Sequence, residues 1–130
     1  MKKLTDFQSY ADAQKAFSPD RLWDLMGGDR AHLNIATECV DRYAASGRDA
    51  LIVVKAEGGE EVIGYAELSA NSSRFAHWLE AQGVVPGDRV AIMLEPSSAF
   101  YTAMFGVIKS GAIVVPVSYT HLTLPTKRIV

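Results

Sequence analysis

The hydrophobic pattern of the chain changes period near residue 50. Before that point the apolar positions are helical. Phe7, Tyr10, Ala11 and Phe17 share one face and predict a helix over 6–16, a face that Gln14 interrupts. Ser18-Pro19-Asp20 reads as a second helix start: the serine caps, the proline occupies the first helical position, and the aspartate favours the positive helix end. Gly27-Gly28 is the predicted stop. Asn34 looks like the next cap, with Ile35, Cys39, Val40 and Tyr43 as the buried stripe of a third helix ending at Gly47.

From residue 50 the pattern becomes that of short strands between helices. Ala50–Ala56 is a β-branched run and predicts a strand. Gly58-Gly59 predicts a hairpin turn, and 60–63 the return strand. A helix follows over 65–82, with Leu68, Phe75, Ala76 and Leu79 inward and Gly83 closing it. Pro86-Gly87-Asp88 turns the chain into an apolar strand over 89–94. Pro96-Ser97 starts a helix over 98–109, and 112–115 is the last strand. The predicted class is α/β: N-terminal helices, a β-hairpin, then an α-β-α-β unit. Its two final strands lie parallel with a right-handed crossover.

Composition narrows the function classes. The chain has 130 residues, 48% hydrophobic and 22% charged, which is globular rather than disordered, collagenous or coiled-coil. Thirteen basic and 15 acidic residues give a net charge of −2, without the basic excess of a nucleic-acid binder. One cysteine, Cys39, excludes an intrachain disulfide and fits a reducing, cytoplasmic setting. Met1-Lys2-Lys3 is not followed by the apolar run of a signal peptide. The stretch 99–117 is apolar enough to invite comparison with a membrane span. However, it carries Lys109, two glycines and Pro116, and a mid-span lysine costs about 2.5–3.5 kcal/mol. A buried helix, a Ser110-Gly111 turn and a buried strand fit better. The expectation is a soluble protein without a membrane partner.

Candidate chemistry is sparse. No His-Glu-x-x-His, Cys-x-x-Cys or carboxylate cluster points to a metal site. His32, His77 and His121 are far apart, and His77 reads as solvated. Cys39 reads as a small buried filler without a partner base. Gly106 and Gly111 have the spacing of a phosphate loop, but Ala112-Ile113 stands where a lysine and a hydroxyl are needed. Thr120–Lys127 has hydroxyls and a lysine but no glycine to let a phosphate approach. Trp78 and the set Phe100, Tyr101 and Phe105 read as packing residues. No catalytic, cofactor-binding or metal-ligating residue is assigned within 1–130. By residue chemistry alone the chain is an α/β domain or a piece of one.

Residues 63–117 resemble a known family. Ile63-Gly64-Tyr65-Ala66-Glu67-Leu68 is similar to the first core motif of the AMP-forming adenylating enzymes: acyl-CoA synthetases, peptide-synthetase adenylation domains and luciferases. Arg74-Phe75-Ala76, Leu79, Gly83-Val84 and Gly87-Asp88-Arg89-Val90-Ala91-Ile92 follow in the family's order. Ile108-Lys109-Ser110-Gly111-Ala112 with Pro116 matches the second core motif. Upstream, Leu33-Asn34-Ile35-Ala36 and Cys39-Val40-Asp41-Arg42-Tyr43 resemble the acyl-CoA synthetase branch.

The resemblance implies the N-terminal piece of a larger adenylate-forming domain. The complete enzyme would join a small carboxylic acid to ATP, giving an acyl adenylate and pyrophosphate. It would then pass the acyl group to coenzyme A, with Mg²⁺ offsetting phosphate charge. The family's phosphate loop, further nucleotide motifs and C-terminal lid are downstream features absent here, so this piece alone binds none of these cofactors. Where the family has Thr or Ser at the cap of its first motif, this chain has Gly64. Glu67 is then expected to reach back to the backbone amide of residue 64. Two alternatives stand beside this reading: a small non-enzymatic α/β binding or interaction module, and a fragment of an amino-acid adenylation domain.

The tail, 118–130, differs from the rest. It has no glycine and no acidic residue, four of its 13 residues are Ser or Thr, and Lys127-Arg128 are its only charges. Residues 1–117 carry 11 basic and 15 acidic groups, a net of −4, to which the tail adds +2. The family pattern stops at Pro116-Val117, so 1–117 is expected to be a partial synthetase domain and 118–130 a non-native tail. Strands that lack the covering units of a complete sheet predict self-association of the piece. The tail is expected to be dispensable: residues 1–117 should unfold as cooperatively as 1–130 in a thermal melt. Loss of cooperativity on truncation would show that the tail packs natively.

Overall fold

The structure, a computed structural model, describes residues 2–117. The expectations for the tail fall on 118–130, outside the described residues. Element order is α1 (Tyr10–Ala16), α2 (Pro19–Trp23), α3 (Ile35–Cys39), β1 (Asp49–Val54), β2 (Glu60–Gly64), α4 (Tyr65–Ala81), β3 (Arg89–Ile92), α5 (Ser98–Lys109) and β4 (Ile113–Pro116). Short 3₁₀ turns occupy Leu4–Asp6 and Asp41–Ser46.

The expected class holds. β1 and β2 form an antiparallel hairpin, with Ile52 opposite Val62 and Val54 opposite Glu60 and a bulge between Asp49 and Leu51. β3 and β4 are parallel, Arg89 beside Ile113 and Ile92 beside Pro116, so α4-β3-α5-β4 is the predicted unit. Gly111 takes φ 78°, which lets the chain leave α5 and enter β4 at once. Asp88 closes the preceding turn by accepting the Val85 amide at 2.9 Å.

The core lies in two clusters. Leu79, Ile92, Ala103, Val107 and Ala112 form the first, lined by Phe75, Val90 and Val114. Val40, Ile63 and Leu68 form the second, against Leu51, Tyr65, Tyr101 and Phe105. Both draw on one face of α4, where Leu68, Ser72, Ala76 and Leu79 are buried at helical spacing. α5 meets this face at Gly106. A Cβ there would stand 2.7 Å from the Phe75 ring and 2.9 Å from the Ser72 carbonyl. The glycine that imitated a phosphate-loop position is therefore the contact at which two helix backbones approach.

The N-terminal third departs from expectation. The helix predicted over 6–16 is split, with a 3₁₀ turn at Leu4–Asp6 and α1 starting only at Tyr10. Its apolar stripe is not a core face, since Tyr10 and Phe17 are exposed. α2 stops at Trp23, short of Gly27-Gly28. The third helix breaks at Val40, whose φ −123° and ψ −62° end α3 after five residues. Burial then falls on Ala36, Glu38 and Val40 rather than on a 3.6-residue stripe. Ile35 is exposed, and Cys39, expected as a buried filler, is exposed as well. Short segments without a buried partner gain little from amphipathic pattern, which is why the periodicity misleads here.

The outer face of the β3–β4 pair is uncovered among the described residues: Ile113 and Val115 are exposed there, opposite the packed Val90, Ile92 and Val114. Gly106→Ala should lower the unfolding free energy by about 1–3 kcal/mol through overpacking, measured by denaturant melts. An unchanged or raised midpoint would mean the helices separate without cost.

Candidate functional site

In parallel α/β sheets ligands bind outside the carboxyl ends of the strands. Here that edge is the segment after Ile92, running from Met93 to the start of α5. Met93 and Leu94 are exposed. The hydroxyls at this edge are engaged in the fold. Ser97 caps α5 by accepting the Phe100 amide at 3.3 Å and donates to the Glu95 carbonyl at 3.0 Å. Ser98 donates to Glu61 Oε1 at 2.9 Å, which ties α5 to the hairpin. Hollows also lie elsewhere. One of about 370 Å³ is lined by Leu4, Tyr10, Ala13, Gln14 and Phe17, and one of about 260 Å³ by apolar residues of α2 with Met26 and Leu33. A third, of about 330 Å³, has Asp20, Asp29 and Arg30 in its lining, and there Arg30 is paired with Asp20 and Asp29 with His32. Among the described residues no three His, Cys, Asp or Glu side chains come together as a metal cluster.

The polar chemistry that the fold does gather joins elements. Lys109, almost fully buried at the end of α5, donates to Asp41 Oδ1 at 2.5 Å, to the Ser69 carbonyl at 3.0 Å and to Ser73 Oγ at 3.0 Å. Ser69 Oγ donates to the same Asp41 oxygen at 2.6 Å. One ammonium thus spends its three donors on α4 and on the 3₁₀ turn after α3. Lys109 and Asp41 each lie in a run that resembles the family, but no motif linked them, because they are 68 residues apart. The available signal was a lysine inside an otherwise apolar helix–strand run.

Glu38 forms the second junction. It is buried, and its Oε1 accepts the Gly27 and Gly28 amides, each at 2.8 Å. Arg42 donates to Oε2 at 2.8 Å and to the Leu25 carbonyl at 2.8 Å. The Gly27 amide is the main influence holding the Glu38 carboxyl below its ordinary value of 4.5. Burial opposes it, and the Gly28 amide and the Arg42 charge add to the lowering. Asn34 caps α3 by accepting the Ala36 amide at 3.0 Å, as predicted. It also donates across the structure to the Ile108 carbonyl at 2.9 Å. The expected reach of Glu67 to the start of α4 is absent, since no side chain caps Gly64. His77 is exposed, as expected. Trp78 is also largely exposed and stacks on Phe75, with ring centroids 5.5 Å apart.

The geometry is that of a scaffold that presents a strand edge. The model of the family described as AMP-binding enzyme matches residues 40–129, more than half of the chain. The chain belongs to the AMP-binding enzyme family. Among curated members, it is similar to the fatty acid–[acyl-carrier-protein] ligase ScoC of Streptomyces coeruleorubidus, 46% identical over 61 residues, which are 47% of this chain and 12% of that protein. It is 42% identical over 59 residues to the nonribosomal peptide synthetase sidE of Aspergillus fumigatus, covering 45% of this chain and 3% of that one. Among solved structures, the acyl-CoA synthetase of Brucella canis superposes with a TM-score of 0.75 at 25% identity, over 83% of this chain and 20% of that chain. This member of the AMP-binding family thus spans a small part of its relatives' length.

Lys109→Met should cost about 1–3 kcal/mol, below the range for a fully buried pair because Asp41 is partly solvated. Adding Asp41→Asn should then cost less than the sum of the two single changes. Strict additivity in this double-mutant cycle would show that the pair is uncoupled.

The Glu38 junction predicts a pH dependence. A carboxyl with a lowered folded pKa contributes stability that is fully present above the ordinary value of 4.5 and is lost as pH falls through the folded value. Glu38→Gln should flatten the fall in unfolding midpoint below that pH. Equal slopes for the two proteins would contradict the assignment.

Proposed function

We propose that this chain is the N-terminal portion of an AMP-forming acid–CoA ligase. The observation that carries the reading is the extent of the likeness to the Brucella canis acyl-CoA synthetase. Coverage of 83% of this chain is more than everything from Val40 onward can supply, so it includes part of the upstream helical segment. That segment contains Leu33-Asn34-Ile35-Ala36, the run that resembles the acyl-CoA synthetase branch.

In this reading the complete enzyme activates a small carboxylic acid with ATP, releases pyrophosphate and transfers the acyl group from the adenylate to coenzyme A. Mg²⁺ supplies charge neutralisation on the phosphates when bound. In this reading none of these groups is assigned to the described residues. Their contribution is positional: α4, α5 and the Lys109 junction hold the carboxyl ends of β3 and β4 in place for the rest of the domain. The lone cysteine supports a reducing, cytoplasmic setting. We also read 118–130 as a tail foreign to the synthetase domain, on its composition and on the end of the core motifs at Pro116.

A second reading is favoured by the similarity to the Aspergillus fumigatus nonribosomal peptide synthetase: an amino-acid adenylation domain, in which the acyl acceptor is a carrier domain. Extending the reading frame in the source DNA separates these readings. A Gly-, Ser- and Thr-rich loop with a lysine supports a ligase, and a carrier domain further on supports the adenylation domain. A verified stop after Val130 supports a small non-enzymatic module. The 130-residue chain itself should release no pyrophosphate above a no-enzyme control with a panel of acids, ATP, Mg²⁺ and coenzyme A. Release above that control would refute the assignment of the adenylating groups to sequence beyond this chain.

A further inference from the structure

We draw no further inference here: the strongest candidate, the hollow of about 130 Å³ between α3, β1, α4 and α5 whose lining includes Cys39, Leu51, Tyr65, Tyr101 and Phe105, rests on apolar packing and a lone cysteine, and nothing in the structure shows what would occupy it.

Discussion

The close approach of α4 and α5 at Gly106 is the constraint on which the rest of the structure depends. Because a Cβ would strike the Ser72 carbonyl and the Phe75 ring, the backbones can meet there only through glycine. That contact sets the angle at which α5 presents Ala103 and Val107 to Leu79 and Ile92, and so where β3 and β4 lie. It also brings the last turn of α5 beside Ser69 and Ser73, so that Lys109 reaches Asp41. Ser72, fully buried at the crossing, returns its hydroxyl to the Leu68 carbonyl at 2.7 Å and leaves no unsatisfied donor in the contact.

The N-terminal third is attached by a different kind of interaction. Its anchoring contacts are polar: the Gly27 and Gly28 amides on Glu38, Arg42 on the Leu25 carbonyl, and the Asn34 side-chain amide on the Ile108 carbonyl. Each hydrogen bond nets about 0.5–1.5 kcal/mol, rising to about 1.5–3 for charged partners. Apolar burial is scarce there, for no described residue before Ala36 is buried. The segment before α3 is therefore the part of the molecule with the smallest resistance to local opening. Together these features describe a packed α-β-α-β scaffold with a loosely docked helical approach.

The elements from β1 onward were legible in the sequence because several signals agreed for each. The hairpin had β-branched strands about Gly58-Gly59, α4 had an inward stripe of Leu68, Phe75, Ala76 and Leu79 closed by Gly83, and α5 had both a serine cap and a terminal glycine. Strand ends moved by no more than two residues, as when Met93 and Leu94 fell beyond β3. The N-terminal helices were less legible because caps without a buried face do not decide helix length. Asn34 was read correctly as a cap, while the break at Val40, which sends Cys39 outward, had no marker in composition or period. Family membership was legible from ordered short motifs. The junctions at Lys109 and Glu38 were not, since each depends on side chains brought together only by the fold.

Native-state hydrogen exchange of the 130-residue chain tests the scaffold most directly. The account predicts that amides of α4, α5, β3 and β4 share one high opening free energy, close to that of global unfolding. Those of α1 and α2 should exchange through a separate opening of much lower free energy. Equal protection of α1 and α4, or independent opening of α4 and α5, would contradict the claim that their crossing at Gly106 organises the fold.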